Sequence, residues 1–91
     1  MKTVRLRIHG RVQGVGFRDW VARNIRNPGI AGWVRNRRDG TVEMVLEGED
    51  AEIERAIGKC REGPPLARVA TIEVTAEPEL ADKGFSILPT E

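Results

Sequence analysis

Val4, Leu6 and Ile8 alternate with Arg5, Arg7 and His9, and a period of two puts one set of side chains on each face of a strand. Beyond a glycine-rich stretch, Phe17, Trp20, Val21 and Ile25 recur at helical spacing, the mark of a helix with one apolar stripe. Asn27-Pro28-Gly29 stops that helix, because proline disfavours helical dihedrals in the residue before it. IAGWVRNRR and TVEMVLEG then flank Asp39-Gly40, a pair that favours a hairpin turn between two strands. Val42, Met44 and Leu46 supply the buried face of the second arm.

Asp50 has the character of a helix cap, and Ile53, Ala56, Ile57 and Cys60 follow it at i, i+3, i+4, i+7. Gly63-Pro64-Pro65 ends this second helix. RVATIEVTAE reads as a strand, and GFSIL, after a polar link around Pro78 to Lys83, as a short final one. The chain has no internal repeat, low-complexity segment or domain boundary, so a single domain over residues 1–91 is expected. The order β-α-β-β-α-β plus a short terminal strand predicts an α+β, ferredoxin-like sandwich. Its sheet is expected to be antiparallel, with both helices on one face. That architecture hosts carriers, RNA binders, metal chaperones and enzymes, so function has to come from the site.

Composition removes several classes. No window approaches the ~18 apolar residues of a membrane span, and MKTVRLRIHG lacks the apolar region and cleavage site of a secretory signal. A cytoplasmic location without membrane attachment is the expectation. One cysteine excludes an internal disulfide framework, and a single histidine leaves too few soft ligands for a zinc site. Net charge is only +1, but the charges are segregated: ten Lys or Arg and one acid, Asp19, lie up to Arg38. The remainder carries five basic and thirteen acidic residues. Arginines gathered on one face would attract anions; interleaved halves would pair them on the surface, the expectation for each arginine taken singly.

The basic half contains HGRVQGVGFRDW, with Gly10, Gly14 and Gly16 between the first strand and first helix. It lacks the Gly-Lys-Ser/Thr ending of a P-loop and the third glycine of a dinucleotide fingerprint. The shared physics survives: a glycine-rich turn into a helix N-terminus directs unpaired amides at an anion. Arg18, in the first helical turn, opposes the helix dipole and offers a planar fork for two phosphate oxygens.

GRVQGVGFR (10–18), GWVRN (32–36) with DGTVE (39–43), GPPLARV (63–69) and GF-x-I (84–87) resemble the acylphosphatases, and specifically the small stand-alone ones. The likeness runs over nearly the whole chain in the same order and spacing. It implies the ferredoxin-like fold and hydrolysis of the carboxyl–phosphate anhydride of acyl phosphates, with no metal and no cofactor. The family's phosphate-binding loop falls on Gly10, Arg11, Val12, Gln13, Gly14, Val15 and Gly16, whose backbone amides are the donors. Its catalytic arginine falls on Arg18 and its water-positioning asparagine on Asn36. The chain departs at Asn27-Pro28-Gly29, where many relatives have a leucine before the glycine.

The inventory suits that chemistry. A carboxylate of solution pKa near ~4–5 leaves without protonation, so no general acid is required. Holding the phosphoryl group, neutralising its charge and placing a water in line remain, tasks for amides, Arg18 and the uncharged Asn36. Gln13 is assigned structural support rather than chemistry. His9, Trp33 and Phe17 are read as structural, Cys60 as buried packing, and Asp19 with Glu43 as no catalytic carboxylate pair. A competing reading, an RNA-binding module, is weak because GVGF precedes a helix and the four aromatics form no stacking platform. A domain that keeps the fold without activity is disfavoured by the intact Arg18 and Asn36. The expected partner is a small acyl phosphate, with no nucleic acid, acting on a monomer.

Overall fold

A computed structural model describes all residues from Met1 to Glu91. The elements are β1 (Lys2–Arg11), α1 (Phe17–Asn24), β2 (Ala31–Asn36), β3 (Val42–Gly48), α2 (Asp50–Glu62), β4 (Arg68–Ala76) and β5 (Phe85–Ile87). They build one five-stranded sheet in the order β4-β1-β3-β2-β5. β1, β2, β3 and β4 pair antiparallel, whereas β5 runs parallel to β2. The sheet is therefore mixed rather than wholly antiparallel. The link after β4 carries the chain back so that β5 adds beside β2 in the same direction.

Register explains the two faces. Val4, Leu6 and Ile8 stand opposite Leu46, Met44 and Val42, and Val34 stands opposite Met44. These residues, with Val21 and Ile25 from the first helical segment and Ile53, Ala56, Ile57 and Cys60 from α2, form one buried cluster. Each fully buried aliphatic side chain there contributes roughly 1.5–3 kcal/mol relative to exposure. Two expected boundaries shift. Glu49, not Asp50, is the N-cap of α2, and Asp50 instead opens the first turn, where its charge suits the helix dipole. α1 closes at Asn24, before the proline, as the Ile25 and Arg26 amides both donate to the Val21 carbonyl at 2.8 and 3.1 Å. The Asn27 side chain then accepts from the Gly29 amide at 2.7 Å, a local turn that competes with helix.

The sheet face away from the helices is covered by charge. Glu43 is 1% exposed and receives Arg5, Arg35 and Arg37. Burial pushes its carboxyl up, but hydrogen bonds from Arg35 and Arg5 outweigh that and hold it below the usual carboxylate range. Arg35 also lies 4.7 Å over the Trp33 ring. The acidic and basic halves of the chain thus interleave here, with three arginines from β1, β2 and its following turn gathered on one carboxylate of β3. No helix is long and apolar enough to cross a membrane.

Candidate active site

β1 does not end before the glycine stretch but runs through Gly10 and Arg11, which pair with Val69 and Arg68 across a bulge at His9/Gly10. A Cβ on Gly10 would overlap the Arg68 carbonyl oxygen, so this glycine permits two backbones to meet. Gly14 and Gly16 differ: their φ values are 72° and 76°, and nothing lies within 4 Å of a Cβ on either. Their requirement is the left-handed conformation itself. Gly16 adopts it at the N-cap of α1, with no side-chain cap. The first intrahelical bond runs from the Trp20 amide to the Gly16 carbonyl at 2.9 Å, so the preceding helical amides have no partner within the helix. From Val12 to Gly16, likewise, no backbone amide donates to a protein acceptor.

The loop and the first turn of α1 border a cavity of about 290 Å3 lined by Val12, Gln13, Gly14, Gly16, Phe17, Arg18, Asp19, Asn36 and Ile87. Asn36 reaches it because it ends β2 in phase with Val34 and Gly32, opposite Val42, on the helix-bearing side of the sheet. Arg18 is half-buried and donates one long hydrogen bond, 3.4 Å, to the Leu88 carbonyl. It joins none of the ion pairs that occupy Arg5, Arg7, Arg35 and Arg37, which leaves its fork open to an anion. Of the residues singled out in the sequence, Arg18, Asn36, Val12, Gln13, Gly14 and Gly16 come together at the cavity. Gly10, Arg11 and Val15 lie outside its lining, Val15 packing against the core.

Gln13 holds the loop in place. Its Nε2 donates to the carbonyls of Arg37 and Thr41 at 2.7 and 2.9 Å, joining the loop to the turn that follows Asn36. Ile87 as a lining residue and the Leu88 carbonyl as a partner of Arg18 are not legible in the local sequence. Only the terminal motif GF-x-I pointed at that segment, and nothing local reveals that β5 brings it beside β2. His9 lies on the opposite sheet face, paired with Glu73 at 2.6 Å. Cys60 is buried and its thiol is pushed up to about 12 by burial, far from nucleophilic character at neutral pH.

Set against known proteins, the acylphosphatase family model matches residues 4–87. An acylphosphatase of Thermococcus kodakarensis is 52% identical over 90 residues, spanning 97% of this chain and 99% of the relative. One of Rhodospirillum rubrum is 47% identical over 90 residues, spanning 99% of both chains. The crystal structure of acylphosphatase from Bacillus subtilis is similar with a TM-score of 0.89 at 38% identity, covering 97% of this chain and 99% of that one.

Proposed function

The chain belongs to the acylphosphatase family and has that family's hydrolase activity, and we propose that the glycine loop 12–16, Arg18 and Asn36 carry it out. The substrate is a small acyl phosphate. A water attacks phosphorus in line, the bond from phosphorus to the acyl oxygen breaks, and the carboxylate leaves with the electron pair. One proton of the water passes to a phosphoryl oxygen, giving inorganic phosphate. The free amides of the loop and of the first turn of α1 hold the phosphoryl oxygens. Arg18 neutralises their charge through two donors. Asn36 orients the water through its side-chain amide without changing charge.

One observation carries this assignment: the unpaired loop amides, the unpaired arginine and the asparagine line a single cavity of about 290 Å3. In our reading no metal, cofactor or nucleic acid takes part, and residues 1–91 act as one monomeric cytoplasmic domain. Hydrolysis of benzoyl phosphate, measured with and without a chelator, tests the mechanism, with light scattering for the mass of one chain. Turnover unchanged by the chelator is expected. Turnover that vanishes with the chelator and returns with metal sinks the metal-free mechanism.

A further inference from the structure

We propose that Asp19 discriminates against acyl phosphates whose acyl group is itself anionic, so that the preferred substrates carry uncharged or cationic acyl groups. This rests on the reading of the cavity as the phosphoryl site. Asp19 is the sole acidic residue among those lining the cavity, beside Arg18, Asn36 and Ile87. It is exposed and belongs to none of the protein's ion pairs. By contrast, Glu43, Asp39 and Glu73, the acids nearest the strand arginines and His9, are all paired. Arg18, its neighbour along the helix, is not its ion-pair partner.

Asp19 stands in the first turn of α1, where a carboxylate suits the helix dipole; beside a site for a phosphoryl dianion the same charge disfavours further negative charge. The phosphoryl group is fixed by the glycine loop, so the remainder of the substrate extends toward the exposed part of the lining, where Asp19 stands. Ile87, which is exposed, offers that remainder apolar contact, whereas a second negative charge would meet the carboxylate. Two like charges about 8 Å apart in a partly aqueous surrounding, of effective dielectric constant about 40, repel enough to weaken binding about fivefold.

The test compares kcat/KM for benzoyl phosphate and 4-carboxybenzoyl phosphate on the wild type, Asp19→Asn and Asp19→Lys. Taking the ratio of the two substrates within each enzyme, then across enzymes, cancels their intrinsic reactivities. The relative value for the carboxylated substrate is expected to rise about fivefold in Asp19→Asn and further in Asp19→Lys. Raising salt should shrink the wild-type preference. If both substrates change by the same factor in Asp19→Asn, the carboxylate acts on the helix or the phosphoryl group and the proposal fails. A wild type that hydrolyses neither substrate overturns the phosphoryl-site reading itself.

Discussion

The side-chain amide of Gln13 crosses 24 positions of sequence to donate to the Arg37 carbonyl at 2.7 Å. The same group donates to the Thr41 carbonyl at 2.9 Å, and the Arg37 amide also donates to that carbonyl, at 2.8 Å. The glycine loop and the turn after Asn36 are thereby one unit. Gln13→Ala is expected to lower kcat by roughly 10- to 10²-fold, since small misplacements of a reacting group cost about that much. Inhibition by inorganic phosphate should change less. Introduced into Asn36→Ala, it should add little further loss; fully additive losses would show that Gln13 does not act through Asn36.

Arg18→Ala should reduce turnover by roughly 10³-fold or more, the scale of a lost transition-state charge contact. Arg18→Lys should recover only part of it, because a point charge does not reproduce the fork. Asn36→Ala is expected to damage turnover similarly while leaving phosphate inhibition closer to wild type. Equal loss of phosphate affinity in both variants would assign Asn36 to binding instead of the water.

The glycines of the loop should separate in a denaturation series. Gly14→Ala meets open space at φ 72° and should cost about 1–2 kcal/mol, the left-handed penalty. Gly10→Ala adds backbone overlap with Arg68 at φ 123° and should cost roughly 3 kcal/mol or more. Equal urea midpoint shifts would contradict the different roles assigned to the two positions.

Stability should fall in acid through Glu47. Hydrogen bonds from Lys83, Thr3 and the Leu80 amide hold its carboxyl at about 2, below the ordinary 4.5. Between those values the unfolded chain binds the proton that the folded chain refuses, so stability rises with pH in that window. The contribution is full above about pH 5 and is lost as pH falls toward about 2. A melting-temperature profile over this range should flatten in Glu47→Gln; an unchanged slope would place the acid sensitivity elsewhere.

Cys60 should resist alkylation by iodoacetamide at neutral pH until the protein unfolds, with activity unaffected by the reagent. Its burial and raised thiol pKa of about 12 set that expectation. Labelling of the folded enzyme with loss of turnover would return the thiol to consideration as a functional group.

Much of this architecture was legible residue by residue. The alternation of Val4, Leu6 and Ile8 with charged neighbours, and the helical spacing of Ile53, Ala56, Ile57 and Cys60, report directly on which face is buried. Arg18 and Asn36 were legible through the motifs that contain them, and both reach the cavity. The roles of the glycines were less so. Gly10 resembled Gly14 in the sequence, yet the bulge that pairs it with Val69 depends on where β4 lies.

Periodicity, turn chemistry and motif spacing act over a few residues, where covalent geometry limits the choices. They were enough to specify the elements, their order and the glycine-rich turn of HGRVQGVGFRDW into α1. Partners distant in sequence obey strand register and sheet order, which arise only when the whole core packs. That packing decided that β5 lies parallel to β2, that Gln13 reaches Arg37, and that Glu43 is buried beneath three arginines. It also decided that Asp19, without an ion-pair partner, shares a cavity with Arg18 and Asn36. A side chain's local neighbours announce its conformation, but its electrostatic surroundings belong to the folded chain.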